Sequence, residues 1–185
     1  MIRGEKVRLR AFEASDVAAV HRFKNDSAVA AGLLDAAFPQ SLMRVEEWVA
    51  RASDLRAGLE DYRFVIEADD KPIGFVGLYQ TDWISRNAEV GIAIGEADYR
   101  GRGMGTDALK VAVRFGFESL GLARIWTRVL ADNERSLRMF QRAGFQYEGL
   151  MRAHRFRHGR FVDVVMLGRL APGLAAEEPA TQGDA

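Results

Sequence analysis

Residues 99–106 read Tyr-Arg-Gly-Arg-Gly-Met-Gly-Thr, and the alternation of Gly101, Gly103 and Gly105 narrows what this part of the chain can become. Glycine has no Cβ, so it adopts backbone angles closed to other residues and lets a ligand come up against the main chain. Alternating glycines let successive backbone N–H groups turn toward one concave point. Residues 88–94 upstream read as a strand. Downstream, Leu109, Ala112, Val113, Phe117 and Leu120 recur at helical spacing, which predicts a helix over 103–120. The turn therefore joins a strand to the start of a long helix, where unsatisfied N–H groups and the positive dipole end favour an anion. A phosphate is the natural occupant, and Arg100 and Arg102 bring further positive charge. The loop is not of the Walker type, because no Lys precedes Thr106, and its G-x-G-x-G spacing differs from the dinucleotide G-x-G-x-x-G. A plain, tight strand-to-helix connection would also use glycines of this kind.

The remaining elements follow from periodicity and punctuation. Val7 and Leu9 alternate with Arg8 and Arg10 as a short half-buried strand, and Ser15 and Asp16 offer caps to a helix bearing Val17, Val20, His21 and Phe23. Residues 25–41 are irregular, small and apolar, with Pro39 as a breaker. A second helix is expected over 42–55, with Val45, Trp48 and Val49 on one face. Strands at 62–67 and 73–79 form a hairpin across Ala-Asp-Asp-Lys-Pro. A strand at 125–130 precedes a helix at 134–143 that Gly144 ends, and strands at 145–156 and 161–170 turn at His158-Gly159. Strand-helix-strand from 88 to 130 implies one parallel crossover, while the hairpins imply antiparallel neighbours. The fold class is α/β in the α+β sense: a mixed, mostly antiparallel central sheet with one parallel pair and helices on both faces. One domain is expected over 1–171, followed by an unstructured tail over 172–185 rich in Ala, Glu, Pro and Gly.

Composition removes several kinds of chemistry. The chain of 185 residues is 48% hydrophobic, enough for a core, and its 26 Lys and Arg balance 26 Asp and Glu, which argues against nucleic acid as a partner. With no cysteine there is no disulfide, thiol nucleophile or thiolate metal site. His21, His154 and His158 form no H-E-x-x-H pattern, so no metal is expected, and the two later histidines read as hairpin surface residues. No apolar run approaches the roughly 18 residues of a membrane span, and the first ten residues lack the apolar stretch of a signal peptide. A cytoplasmic protein without a membrane partner is the expectation.

Two spaced motifs carry a family resemblance. Arg100, Gly103 and Gly105 match R-x-x-G-x-G, and Asn133 with Ser136 matches N-x-x-S, followed by Phe140 and Gly144-Phe145. Together they resemble the two signatures of the GNAT acetyltransferases. Tyr147-Glu148-Gly149, Gly159 and Asp163 resemble the RimJ/RimL-type branch of ribosomal-protein N-terminal and polyamine acetyltransferases. The likeness runs over about residues 7–170.

The resemblance implies acetyl-CoA as cosubstrate, no metal, and a parallel strand pair that splays apart. It implies that the backbone N–H groups of Arg102, Gly103, Met104, Gly105 and Thr106 hold the pyrophosphate. The strand Glu89-Val90-Gly91-Ile92-Ala93 should offer its edge to the pantetheine arm where it leaves the strand near 127–129. A bulge at Gly91 would explain that glycine as well. Asn133 should face the arm, though an Asn before a helix is also an ordinary N-cap. A homodimer is a family-level expectation.

The catalytic groups depart from the family pattern. Phe140 stands where many relatives have a tyrosine acid, and Arg128 stands near the place of a carboxylate base in some N-terminal acetyltransferases. Arginine cannot serve as a base at neutral pH. The acid role falls to Ser136 or water, and the base role to Glu89 or a water chain. Tyr79, Asp82 and Tyr147 are secondary candidates, while Phe12, Phe38, Trp48 and Trp83 belong either to an acceptor pocket or to the core. The implied reaction is direct attack of a neutral primary amine in a ternary complex, since no cysteine can carry an acyl group. At pH 7 about a tenth of a protein α-amine is neutral, against roughly one part in 2,500 of a lysine amine, a gap of about 3.5 kcal/mol. Without an evident base, low-pKa amines are favoured: a peptide N-terminus or an amino-acid-like small molecule. The alternative is a non-catalytic acyl-CoA sensor on the same fold.

Overall fold

The computed structural model describes residues 1–34, 38–56 and 58–174. Among them lies one sheet of strands β1 (Ile2–Arg3), β2 (Arg8–Arg10), β3 (Tyr62–Ala68), β4 (Lys71–Asp82), β5 (Asn87–Ile94), β6 (Arg124–Leu130), β7 (Gln146–Arg157) and β8 (Arg160–Leu170). Their order is β1-β2-β3-β4-β5-β6-β8-β7. Only β5 and β6 run parallel, and every other neighbouring pair is antiparallel. The helices are α1 (Val17–Asn25), α2 (Ser27–Ala30), α3 (Leu42–Ser53), α4 (Met104–Glu118) and α5 (Glu134–Arg142).

Strand alternation divides the core into two layers. Phe64, Ile66, Val76, Leu78 and Val90 pack with Leu109, Ala112 and Val113 of α4 and with Phe140 of α5. The intervening Val65, Phe75 and Ala93 point the other way, onto Val20 and Phe23 of α1 and Val45 and Val49 of α3. Helices therefore cover both faces, and α4 is the crossover that makes β5 and β6 parallel. Leu9, Ile66, Ile73, Leu78, Leu109 and Ile125 are fully buried, each contributing about 1.5–3 kcal/mol of transfer free energy.

Two elements escaped the periodicity. β1 has two residues, too few to show a period. α2 is one turn inside the stretch expected to be irregular, and Asp26 starts it by accepting a hydrogen bond from the Ala28 N–H at 2.7 Å. β4 runs on to Asp82, past a register shift between Tyr79 and Asp82 where Gln80 has φ 52°. Gly144, at φ 84°, ends α5 as its place in the sequence suggested. Of the tail expected from 172 onward, everything past Leu174 lies outside the described residues.

Candidate active site

The parallel pair is short. Asn87, Ala88 and Glu89 of β5 sit opposite Arg124, Ile125 and Trp126 of β6, and the pairing stops there. β5 stays on β4 as far as Gly74↔Ile94, and β6 stays on β8 as far as Leu130↔Val164. Each strand follows its antiparallel partner, so the two part and the main chain of Val90, Gly91 and Ile92 has no strand partner on the β6 side. Gly91 is paired in register with Gly77; the bulge lies in β4 instead. Tyr79 lies over both glycines, since a Cβ would come within 2.7 Å of its ring at Gly77 and 3.1 Å at Gly91. Burial pushes the Tyr79 phenol up to about 12.

Beyond the splay, the glycine turn leads into α4. Gly101 and Gly103 have φ of 79° and 85°, angles that cost other residues about 1–2 kcal/mol. Gly103 is the N-cap of α4, and no side chain caps the helix. A Cβ on Gly105 would meet Met139 Sδ at 3.0 Å and Ile94 Cγ1 at 3.5 Å. The one carboxylate of the first turn, Asp107, is turned away. It accepts hydrogen bonds from the N–H groups of Glu5, Lys6 and Val7 at 3.2, 2.7 and 3.0 Å, while Lys6 Nζ donates to the Arg102 carbonyl at 3.0 Å.

Splay and turn open onto one cleft of about 380 Å³. It gathers Ile92, Arg100, Gly103, Gly105, Thr106, Asn133 and Ser136 from the expected set. Glu89, Val90, Gly91, Arg102 and Met104 are not among its lining residues. Val90 is 1% exposed and faces the α4 core, against which Met104 also packs. The two arginines of the turn make different contacts. Arg100 donates to the carbonyls of Ile94 and Gly95 at 3.0 and 2.6 Å and pairs with Asp26 at 3.1 Å, so it braces the loop. Arg102 reaches the Asp98 carbonyl and lies over the Tyr99 ring.

The sequence reading missed the other wall. Arg135, Arg138, Met139 and Arg142 line the cleft from α5, and Val29 and Gly32 line it from the stretch read as irregular. The arginines recur at i, i+3 and i+7, one face of a helix, so that signal was present. Met139 packs against the core as well as lining the cleft.

Asn133 does more than one thing. Its Oδ1 caps α5 by accepting from the Ser136 N–H at 3.1 Å, and its Nδ2 donates to the Gly32 carbonyl at 3.3 Å. It thus pins the residues after α2 over the cleft. A neighbouring cavity of about 390 Å³ shares Ala28, Gly32 and Asn133 and continues to Arg157, His158 and Arg160 at the β7–β8 turn. His158, read as a plain surface residue, lines it.

Glu89 accepts from Arg128 Nε and Nη2 at 2.9 and 2.8 Å. Phe140 is 3% exposed and packs edge-on against Phe145 at 5.2 Å. Asp82 accepts from the N–H groups of Ser85 and Ile84, and these bonds, that of Ser85 foremost, hold its carboxyl below the usual range. Tyr147 is exposed on β7, and Trp83 donates to the Leu59 carbonyl. Phe12 is buried edge-on against half-buried Trp48, and Phe38 is exposed. Among the described residues no group of three or more His, Asp and Glu could hold a metal, and no helix is long and apolar enough to cross a membrane.

Comparison with known proteins agrees with this architecture. The chain is 26% identical over 167 residues to spermidine N(1)-acetyltransferase of Escherichia coli (strain K12), covering 90% of this chain and 87% of that one. The crystal structure of spermidine N-acetyltransferase from Vibrio cholerae with CoA and spermine superposes with TM-score 0.80 at 26% identity, covering 89% of this chain and 95% of that one. RimL, a ribosomal L7/L12 alpha-N-protein acetyltransferase solved with coenzyme A, shares the fold at TM-score 0.81 and 21% identity, over 90% of this chain and 95% of that one. The profile of the Acetyltransferase (GNAT) domain matches residues 6–146, and the chain belongs to that family.

Proposed function

We propose that the chain moves the acetyl group of acetyl-CoA to a primary amine, by direct attack in a ternary complex. One observation carries the reading: the uncapped start of α4 behind Gly103 and the unpaired edge of β5 face the same cleft. The residues fit the coenzyme. The N–H groups from Arg102 to Thr106 would take its pyrophosphate, the edge at Val90, Gly91 and Ile92 its pantetheine arm, and Asn133 would face that arm. The coenzyme supplies the acetyl thioester.

The chain's own groups do the rest. An N–H on the β5 edge would bind a developing oxyanion. Ser136, in the first turn of α5 and on the cleft wall, would give a proton to the departing thiolate. Glu89, held in place by Arg128, would accept the amine's proton through water. The acceptor is a peptide N-terminus or a small-molecule amine of low pKa. The relatives are named for spermidine and for a ribosomal protein's α-amine, which leaves both classes open to the same panel. A single domain over 1–171, a cytoplasmic location and a homodimer complete the proposal.

Heat from coenzyme A in calorimetry, together with coenzyme A release from acetyl-CoA in the presence of amines, tests the reading; no heat would overturn it. Preference for spermidine over alanine-terminated peptides would overturn the low-pKa acceptor. A sensor that binds without turning over is favoured by two features, the ion pairing of Glu89 and the burial of Phe140 at the place of the family's tyrosine. Tight binding with no coenzyme A release on any amine would select it.

A further inference from the structure

Register places Arg63 of β3 opposite Gly77 of β4, and Gly77 opposite Gly91 of β5. These three form one row on the face that carries α1 and α3, and only Arg63 contributes a side chain beyond the backbone. The row ends at Gly91, on the strand edge that faces the splay. Lys24, in the last turn of α1, sets its Nζ 3.8 Å from the centre of the Trp48 ring and 5.9 Å from that of Phe75. The Arg63 guanidinium lies 5.1 Å from the Trp48 ring and 5.6 Å from the Tyr79 ring. Two cations therefore flank an aromatic floor next to the strand that would present the thioester.

Of the two, only Arg63 meets a carboxylate among the described residues. Arg63 pairs with Asp61 through one Nη, but its Nε is buried with no hydrogen-bond partner. Lys24 forms no ion pair with any carboxylate among the described residues, and the charged groups acting on it, Arg63 and Arg44, are both cationic. Burial, then Arg63 and Arg44, lower its pKa to about 8. Buried cations are ordinarily paired, and a free guanidinium N–H beside an ammonium suits a carboxylate. A polyamine would bring like charge to the same place.

We propose that Lys24 and Arg63 hold a carboxylate of the acceptor, so that the substrate is an amine carrying a carboxyl group, such as an acidic peptide N-terminus. The inference rests on the acetyl-transfer reading and narrows its acceptor. The matched dipeptides Ala-Asp and Ala-Asn, each as its C-terminal amide so that only the Asp side chain brings a carboxylate, test it together with spermidine by coenzyme A release. Ala-Asp should exceed Ala-Asn by about tenfold in kcat/KM, a preference that Lys24→Gln and Arg63→Gln abolish and Lys24→Arg retains. In parallel, the Lys24 side-chain resonance followed against pH should titrate higher with the C-terminal amide of N-acetyl-Ala-Asp and stay in place with that of N-acetyl-Ala-Asn. Equal or better turnover of Ala-Asn or spermidine would overturn the proposal, as would an unmoved Lys24 titration. A raised Lys24 titration with no amine acetylated would uphold the carboxylate site and defeat the acetyl-transfer reading.

Discussion

Arg128 lies two residues beyond Trp126, the last residue of β6 paired to β5, and both of its bonds to Glu89 reach back across the point where the strands separate. The pair is partly buried, with Glu89 12% and Arg128 23% exposed at the side chain. It ties the splay at its root while the strands open beyond it.

Breaking the pair from the cation side strands a mostly buried carboxylate. Arg128→Met should cost about 2–3 kcal/mol, seen as a lower denaturation midpoint. Glu89→Gln keeps the shape but not the basicity. If Glu89 accepts the amine's proton, that variant should lose about a hundredfold in kcat while coenzyme A affinity by calorimetry stays near wild type.

The glycine turn makes a second, separable prediction. Gly105→Val would drive a side chain into Met139 Sδ, already 3.0 Å from an added Cβ, and narrow the cleft at the start of α4. Coenzyme A affinity should fall about tenfold or more, with a smaller effect on thermal stability. Gly103→Ala adds the cost of its φ of 85° and should lower both.

Asn133 separates cap from clamp. Asn133→Ala removes the cap of α5 and should cost about 1 kcal/mol. Asn133→Asp keeps an acceptor for the Ser136 N–H but cannot donate to Gly32. Its melting temperature should stay near wild type while residues after α2 exchange amide hydrogens faster.

Much of this arrangement was legible because its causes are local. Positive φ at Gly103, an N-cap at Asn133 and a stop at Gly144 depend on a few neighbouring residues, and sequence states them directly. The arginine stripe at 135, 138 and 142 was equally readable, through helical spacing. The convergence of Lys24, Trp48, Arg63 and Tyr79 was not. They come from α1, α3, β3 and β4, and only strand register and helix docking bring them together. Arg100 makes the same point: sequence shows its charge but not the Ile94 and Gly95 carbonyls that occupy it.

pH should act on stability from two sides. Burial opposes ionisation of Asp16 and Glu67. Hydrogen bonds outweigh it, from Arg10 and the Glu13 N–H for Asp16 and from Arg10 and Arg8 for Glu67, holding both carboxyls below their ordinary range. Their contribution is complete above the unfolded values, near 4, and is lost as pH falls through the lowered folded ones. Arg10→Met should cost about 3 kcal/mol at pH 7 and much less in acid, measured by denaturant titration.

Lys24 works in the opposite sense. Its folded pKa of about 8 lies below the ordinary lysine value, so the unfolded chain holds the extra proton between the two. Its cost to folding is full below pH 8 and fades as pH rises toward about 10. Lys24→Met should raise the melting temperature at pH 7, with the gain shrinking by pH 10.

Asp107 and Lys6 fasten the opening residues of the chain to the loop a hundred positions later. The glycine turn is thus braced from the chain's opening residues before any ligand arrives. Clipping the first seven residues, or burying them under a bulky fusion, should weaken coenzyme binding, whereas additions after Leu174 should leave it alone.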